Sequence, residues 1–281
     1  MPAARPRLLY VTDLAYRAGG RRYCDEDIFL TARLRTEFDL ALCHPRDAAS
    51  LMDAFDAVVV RNSGPVLTYP QAYAAFRARA AERGTRVYNE LTGRADMAGK
   101  RYLTELTEAG YPVIPTADAT DGPHRLPAAD RYVLKPVRGA DSVGLRTVPA
   151  DQVLAALRTE AAAAGELLVQ PHIDFTYEVS FYFVDQDFQY ALYAPRPDRR
   201  WELAPYRPTS ADLAFARRFI DWNTVRHGVQ RVDACRAPGG ELLLVELEDL
   251  NPYLSLDALD DARQDAFVAA FTQSLHRFLA A

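Results

Sequence analysis

Several features that mark common protein classes are scarce or absent in this chain. The 281 residues include three cysteines, Cys24, Cys43 and Cys235, whose spacing matches neither a disulfide framework nor a zinc motif. No stretch approaches about eighteen consecutive apolar residues, so no transmembrane helix is expected. The first residues lead into a β-like run without the apolar core of a signal peptide. We therefore expect a reduced, cytoplasmic protein.

Excess positive charge and the Gly-x-Gly-x-x-Gly motif are also absent. The net charge of -5 argues against a general nucleic-acid binder, whose domain is usually basic. The first βα turn has no Gly-x-Gly-x-x-Gly run, which disfavours a dinucleotide- or saccharide-binding protein. We expect a small-molecule substrate, with neither nucleic acid nor a membrane as a partner. A homo-oligomer is compatible with the sequence.

The sequence has a composition typical of globular proteins, with 49% hydrophobic and 25% charged residues. Strand-like and helix-like stretches alternate in its first part, as in βαβ units, with strands at residues 8–11, 40–43 and 57–60 and helices at 27–37 and 71–83. Later helices are predicted at 97–109, 151–164, 210–225 and 260–280, and strands at 132–136, 145–147, 167–170, 178–184 and 190–193. This indicates an α/β protein that begins with βαβ units and in which strands dominate from residue 167 onwards.

The most informative segment is a hairpin near the C-terminus, with Gly239-Gly240 as a two-residue turn. In that register Asp233 lies directly across from Glu246, and Arg231 across from Glu248. Alternation along each strand puts these four side chains on one face. Like charges at opposed positions, about 5 Å apart, destabilise the pair. A divalent cation between the carboxylates is the simplest explanation.

Hard carboxylate oxygens suit Mg²⁺, which takes one or two protein carboxylates together with nucleotide phosphates. We predict Asp233, Glu246 and Glu248 as metal ligands, with Asn251 on the following loop able to complete the shell. The alternative is an Arg231–Glu248 ion pair beside an exposed Asp233. The leucine-rich flanks of Glu246 disfavour exposure of both strand faces and so favour the metal site.

Lys100 and Lys135 stand where an anionic ligand would explain them. Lys135 ends an apolar strand, where a charged side chain facing a dry core would be costly. Gly139, Ser142 and Gly144 follow in a loop whose backbone can approach a phosphate; a strand follows this loop, so it is not a Walker A motif. Lys100 lies near the start of a predicted helix, where the helix dipole disfavours a cation. The alternatives are a surface lysine on a plain hairpin and a solvated lysine in a polar first turn.

Polar residues follow two strands of the N-terminal lobe. Thr12 and Asp13 come directly after the first predicted strand, and Arg61, Asn62 and Ser63 after the third. Ligands of open α/β sheets bind at the carboxyl ends of strands, so these groups suit a zwitterionic, amino-acid-like substrate. Ordinary loop chemistry is the alternative.

In their order along the chain, these segments resemble the ATP-grasp superfamily of carboxylate–amine ligases over nearly the whole sequence. The resemblance rests on Lys100, the strand 132–136 with its Lys135, the loop 139–144, the segment 168–173 and the acidic hairpin. It implies an ATP-grasp fold with an N-terminal Rossmann-like α/β lobe (1–92), a small central lobe (93–170) and a β-rich C-terminal lobe (171–281). In this fold both lysines and the glycine loop are expected to hold the phosphates of ATP, and the acidic residues to hold Mg²⁺.

The resemblance also places the rest of the nucleotide. Adenine is expected at a hinge formed by Gln170, Pro171, His172 and Ile173, and the ribose hydroxyls at Glu178. For His172 a surface imidazole is the favoured alternative to any catalytic role. For Glu178 the alternative is an edge charge that prevents aggregation.

The chemistry implied by the family is formation of an amide-type C–N bond. A substrate carboxylate attacks the γ-phosphate of ATP, and an amine traps the acyl phosphate. We assign Arg231, which faces the predicted metal carboxylates, to the acyl phosphate or the tetrahedral intermediate. The family usually ends its last strand with Glu-x-Asn, whereas Glu246 and Asn251 are separated by extra residues. Either Glu248 replaces the Asn, or Asn251 reaches back from a bulge.

More narrowly, residues 11–14, 22–27 and 60–65 are similar to segments of the D-cycloserine-forming ligases of antibiotic biosynthesis. Those ligases activate the carboxylate of O-ureido-D-serine and close the ring intramolecularly. One alternative is an intermolecular ligase of amino acids or peptides. Another, from a different class, is a nucleotide-binding regulatory protein without catalysis, against which intact Lys135, Asp233 and Glu246 argue.

Overall fold

The computed structural model describes residues 4–18, 21–61, 68–139, 144–164 and 166–281. Its helices are α1 (Cys24–Leu34), α2 (Ala48–Leu51), α3 (Pro70–Arg83), α4 (Tyr102–Glu108), α5 (Val153–Ala164), α6 (Ser210–Asn223) and α7 (Asp261–Ala280). Its strands are β1 (Arg7–Val11), β2 (Arg17–Ala18), β3 (Arg21–Arg22), β4 (Asp39–Cys43), β5 (Ala57–Val60), β6 (Val87–Tyr88), β7 (Ala117–Asp118), β8 (Arg131–Pro136), β9 (Arg146–Pro149), β10 (Leu167–Pro171), β11 (Tyr177–Val184), β12 (Asp187–Ala194), β13 (Ala204–Tyr206), β14 (Val229–Arg236) and β15 (Leu242–Glu248).

The first large sheet is parallel, with the order β4-β1-β5-β6. The apolar strands β1 and β5 are buried along nearly their whole length, as expected for strands covered on both faces. Val11 pairs with Val60, so the residues after these strands, Thr12 and Arg61, are neighbours. The predicted Rossmann-like lobe is confirmed, and the carboxyl edge of its sheet brings these two positions together.

The second sheet is antiparallel, with the order β7-β10-β8-β9, and it packs against α5. The glycine loop connects β8 to β9. Gly144 has φ +78°, and a Cβ there would lie 2.9 Å from the ring of Pro136, so the loop requires glycine at this point. Residues 172–176 then connect β10 to the third sheet, at the position of the predicted hinge.

The third sheet is antiparallel, with the order β13-β12-β11-β14-β15. One face packs on α4 and α6 through a core that includes Leu103, Phe181, Phe219, Leu244 and Leu247. Part of the other face packs with α7 and the first sheet. The three sheets confirm the predicted α/β class; the lobe boundaries after residues 92 and 170 stay predictions.

Two helices begin three or more residues away from the predicted positions. Helix α1 begins at Cys24 rather than Asp27. Helix α4 begins at Tyr102 rather than Met97, because the preceding residues form turns in which the Lys100 N–H donates to the Val137 carbonyl at 2.9 Å. Lys100 therefore lies directly before the N-cap residue Arg101 rather than within the helix, and it is still at the helix N-terminus.

Among the helices that the structure describes, none has the length and apolarity needed to cross a membrane.

Candidate active site

Three rows of side chains cross one face of the third sheet, on the adjacent strands β11, β14 and β15. Residues paired across a sheet project from the same face. The rows are Glu178–Cys235–Leu243, Ser180–Asp233–Glu246 and Tyr182–Arg231–Glu248. The predicted opposition of Asp233 to Glu246, and of Arg231 to Glu248, is confirmed.

The predicted two-residue turn of this hairpin was wrong. The Ala237 N–H donates to the Glu241 carbonyl at 2.9 Å, which leaves a three-residue loop, and Gly240 rather than Gly239 takes a positive φ, +92°. A bulge at Val245 then shifts the register, so that Glu246 rather than Val245 opposes Asp233. The carboxylates face each other because the bulge compensates for the longer turn.

Lys100 and Lys135 reach the same carboxylate from outside the hairpin. Lys100 Nζ lies 2.5 Å from Glu246 Oε1 and also donates to the carbonyl of Gly139 in the glycine loop. Lys135 Nζ lies 3.6 Å from Glu246 Oε2 and donates at 3.1 Å to the carbonyl of the bulged Val245. The ammonium groups therefore gather around one carboxylate at the bulge.

These are the only lysines in the sequence: of its 33 Lys and Arg residues, two are Lys. This count is a sequence signal that our motif analysis missed. A chain that otherwise carries arginine has lysine at these two positions, which singles out Lys100 and Lys135 together without a structure.

Burial and charge act in opposite directions on these groups. Burial tends to raise the pKa of Glu246, but Lys135 and Lys100 hold it below its ordinary value. Burial lowers the pKa of Lys135, and Glu246 offsets this only in part. Burial also acts to lower the pKa of Lys100, but Glu246, together with Asp96 and Glu248, more than offsets it, and the pKa is raised. Two ammonium groups share one carboxylate, so this part of the site favours a further anion.

Arg231 is the cation of the acidic hairpin. Its guanidinium donates to Asp233 at 2.8 Å and to Glu248 at 2.5 Å. Burial alone would lower its pKa, but Asp233 and Glu248 raise it well above its ordinary value, so the group stays charged. The Arg231–Glu248 pair of the alternative interpretation is present, but Asp233 is only 19% exposed and accepts from Ser180 Oγ at 2.6 Å.

The carboxylates suit a magnesium site that a ligand completes. Within the described ranges, no three His, Cys, Asp or Glu side chains converge as a preformed metal cage. Mg²⁺ does not need such a cage, since it takes one or two carboxylates and fills its shell with phosphate oxygens and water. Asp233 and Glu246 fit that donor set, with Glu248 in the next row and Asn251 on the loop beyond β15. The four metal assignments stay predictions.

The other predicted nucleotide contacts surround the connection between the second and third sheets. Gln170 and Pro171 end β10, and His172 and Ile173 follow them. Gln170 is buried and donates to Thr116 Oγ1 at 2.9 Å, while Glu178 accepts from the guanidinium of Arg200 at 2.7 Å. Ser142 lies outside the described residues. The nucleotide assignments of all these residues stay predictions.

The predicted substrate residues Thr12 and Arg61 lie in a buried polar network of the first lobe. Thr12 Oγ1 donates to Asp27 at 2.6 Å, and Arg61 Nη2 donates to Glu26 at 2.8 Å. Asp13 is also buried and accepts from the Ala15 N–H at 2.9 Å. Asn62 and Ser63 lie outside the described residues. The substrate assignments stay predictions.

Two residues that contact predicted site residues were not themselves predicted. Glu26 accepts from Arg61, and Ser180 donates to Asp233. The alternation Glu178-Ser180-Tyr182 is a signal that would have pointed to Ser180, whereas the acidic first turn of α1 does not by itself show what Glu26 contacts.

No protein-family model matches this sequence, and no curated protein matches it. Among solved structures, the chain is similar to D-cycloserine synthetase DcsG, with a TM-score of 0.73, 23% identity and coverage of 97% of this chain and 99% of that chain. It is similar to ATP-grasp ligase PsnB complexed with minimal precursor, with a TM-score of 0.64, 18% identity and coverage of 94% and 98%. For D-alanine–D-alanine ligase from Bacillus anthracis complexed with ATP, the TM-score is 0.66, the identity 12% and the coverage 99% and 97%. At these identities the likeness establishes the fold: the chain has the ATP-grasp fold that the order of its motifs predicted.

Proposed function

We propose that this protein is an ATP- and Mg²⁺-dependent ligase that activates a small amino-acid-like carboxylate and joins it to an amine. One observation carries the proposal. The chain's only two lysines meet at Glu246, directly across from Asp233, on one face of an ATP-grasp fold. Cations beside paired carboxylates are the groups that a triphosphate and its metal ion require.

The reaction needs positioning and charge rather than a protein nucleophile. An oxygen of the substrate carboxylate attacks the γ-phosphorus, the bond to ADP breaks, and an acyl phosphate forms. An amine then attacks the carbonyl carbon and loses a proton as phosphate leaves. Mg²⁺, held by Asp233 and Glu246, would neutralise charge on the phosphate oxygens.

The chain's own cations have distinct tasks in this proposal. Lys100 and Lys135 hold and neutralise the phosphates. Arg231, which stays protonated, stabilises the negative charge of the acyl phosphate or the tetrahedral intermediate.

For the substrate, we propose O-ureido-D-serine. Its oxygen-bound ureido nitrogen attacks the activated carboxyl carbon and closes the ring as phosphate leaves, and addition of water releases the carbamoyl group as carbon dioxide and ammonia, which gives D-cycloserine. The support is the resemblance of three N-terminal segments to D-cycloserine-forming ligases, together with the similarity to D-cycloserine synthetase over almost all of both chains. Thr12 and Asp13, at the carboxyl end of β1, are the proposed substrate contacts. An intermolecular ligase is the second candidate, supported by the similarity to PsnB and D-alanine–D-alanine ligase.

The test is release of ADP by the purified protein with Mg²⁺, ATP and O-ureido-D-serine, with the products weighed by mass spectrometry. We expect ADP together with D-cycloserine, and no ADP after chelation of Mg²⁺. The variant Asp233→Asn should retain its circular dichroism spectrum and lose ADP release. A dipeptide formed from added D-amino acids would favour the intermolecular ligase. No ADP release with any carboxylate would contradict the ligase and favour a regulatory protein.

A further inference from the structure

The acidic hairpin is followed by residues 251–255, which we call the post-hairpin loop. The loop begins with Asn251, a predicted metal ligand. The carbonyl of Tyr253 accepts from Arg231 Nη1 at 2.7 Å, and that of Leu254 accepts from the Tyr190 hydroxyl at 2.7 Å. The loop backbone is thus one of the groups that orient the Arg231 guanidinium, so whatever fixes the loop also helps to fix Arg231.

Two buried side chains of the N-terminal lobe, Arg61 and Glu26, hold the same loop. Arg61 Nη2 donates to the Pro252 carbonyl at 2.8 Å. The carboxyl group of Glu26 accepts from the N–H groups of Leu254 at 3.0 Å and Ser255 at 3.1 Å. With the Arg231 bond, four consecutive residues of the loop each have a backbone group bonded to an ionisable side chain.

The pair of Glu26 and Arg61 is connected through Asp27 to residues of the parallel sheet. Arg61 and Glu26 pair at 2.8 Å, and their side chains are 4% and 5% exposed. Asp27 lies 3.5 Å from Arg61 Nε and accepts from the Tyr10 hydroxyl at 2.8 Å and from Thr12. A buried ion pair contributes little stability beyond that of packed apolar residues. A gain in stability is therefore a weak reason for this network, whereas precise placement of the loop is a sufficient one.

We propose that Glu26 and Arg61 are positioning residues of the ligation reaction: by fixing the post-hairpin loop they set the placement of Arg231 and Asn251. This inference rests on the proposed function. It gives Arg61 a role different from the substrate contact predicted from sequence. Loss of a substrate contact mainly raises KM for the substrate, whereas loss of a positioning residue mainly lowers kcat.

The first test compares Glu26→Ala with the conservative Glu26→Gln in the ADP-release assay. Misplacement by about 1 Å can cost about 10²-fold in rate, so we expect Glu26→Ala to lower kcat by about 10²-fold with KM for ATP changed less than about twofold. Glu26→Gln keeps a side-chain oxygen for the loop N–H groups and should restore most of that loss. The control is Ser274→Ala, which removes a buried 2.6 Å bond to Asp185 away from the loop and should leave kcat unchanged.

If Glu26→Ala does not fold, the variant Arg61→Lys, which keeps the positive charge, provides the test. The ammonium group of lysine lacks the planar guanidinium geometry with which Arg61 bonds to Glu26 and the Pro252 carbonyl together. We therefore expect kcat to fall about tenfold or more, with KM for the amino-acid substrate unchanged. A raised KM with unchanged kcat would overturn the inference, as would equal losses in Glu26→Ala and Ser274→Ala.

Amide hydrogen exchange of the nucleotide-free protein provides a test that does not depend on catalysis. Peptides covering residues 251–255 should exchange faster in Glu26→Ala than in the wild type or in Ser274→Ala. Unchanged exchange would overturn the inference whatever the activity. Absence of ADP release by the wild type with every substrate would contradict the proposed function, while faster exchange would still support the holding of the loop by Glu26.

Discussion

Lysine and arginine have different tasks in this protein. Its arginines form ion pairs such as that of Arg79 with Asp53, while Lys100 and Lys135 meet at Glu246. Guanidinium is a planar fork that suits carboxylates, whereas ammonium is a compact point charge on a flexible stem. Replacing a lysine by an arginine at this site is therefore not a conservative change.

We predict that Lys135→Arg loses ADP release almost as completely as Lys135→Ala, by about 10²-fold or more. The reason is steric and electrostatic, because Lys135 is buried between Glu246 and the Val245 carbonyl. The matched control is Arg79→Lys at a partly exposed ion pair, which should change turnover less than about twofold. Substantial turnover by Lys135→Arg would show that the site needs only positive charge.

Glu26 predicts a pH dependence of stability. Burial raises its pKa to about 8 although Arg61 acts in the opposite direction. The folded protein thus keeps a proton that the unfolded chain has released, so the contribution of this group to stability is present at low pH and is lost as pH rises toward 8. In Glu26→Gln this titration is absent. As the pH rises from 5 to 8, the unfolding free energy of the wild type should therefore fall relative to that of Glu26→Gln, by on the order of 1–3 kcal/mol. Urea denaturation of both proteins at each pH measures this difference. Parallel pH profiles would refute this.

At the scale of elements, the active-site face depends on the irregularity in β15. Leu244 and Leu247 both lie in the core, which a regular strand with alternating faces would not allow. The bulge at Val245 accommodates both and keeps Glu246 and Glu248 on the site face. It also supplies the carbonyl that holds Lys135. The register of the hairpin is therefore set by the bulge together with the turn.

The three-residue turn predicts that replacing its two glycines by alanine lowers the unfolding free energy by different amounts. Gly240 has φ +92°, whereas Gly239 does not have a positive φ, and a Cβ at Gly239 would meet mainly the flexible Glu241 side chain. Gly240→Ala should lower the unfolding free energy by about 1 kcal/mol or more, and Gly239→Ala by clearly less. Denaturant titration of both variants measures the difference. Equal costs would indicate the Gly-Gly turn in which both residues need positive φ.

The sequence predicted those elements whose signals are local. The apolar strands and the helix ends at Gly84 and Ala280 follow from periodicity and turn residues close in the chain. The facing of Asp233 and Glu246 was also predicted correctly, but from a turn that was wrong, because the prediction included neither the longer turn nor the bulge that compensates for it. The start of α4 did not follow, because the turn before it is held by Val137 from another part of the chain. The network of Glu26 was also out of reach, since its partners Leu254 and Ser255 are 228 and 229 positions away.

At the scale of the whole molecule, the first and third sheets share a core that helix α7 completes through Phe267 and Phe271. The second sheet has a core of its own with α5 and carries Lys135 and the glycine loop. The proposed nucleotide site therefore lies between the second and third sheets, which residues 172–176 connect. A ligand bound there contacts both sheets and stabilises their arrangement.

We predict that ADP with Mg²⁺ raises the thermal unfolding temperature. At a ligand concentration of about 100 times Kd the gain is about 2.7 kcal/mol, which corresponds to roughly 5 °C or more for a chain of this size. Chelation of Mg²⁺ or the variant Asp233→Asn should reduce the gain. The variant Arg79→Lys should retain it. An unfolding temperature that does not respond to nucleotide would contradict a nucleotide site between the sheets.

The contact of Lys100 and Lys135 with nucleotide phosphates is best tested by NMR of protein that is ¹³C-labelled at lysine alone. Because the chain has two lysines, the spectrum contains one Cε signal from each, and Lys100→Arg assigns them. Addition of a non-hydrolysable ATP analogue with Mg²⁺ should shift both signals in a saturable manner, and Asp233→Asn should weaken the response. If calorimetry shows that the analogue binds while both lysine signals stay unchanged, the proposed site is wrong.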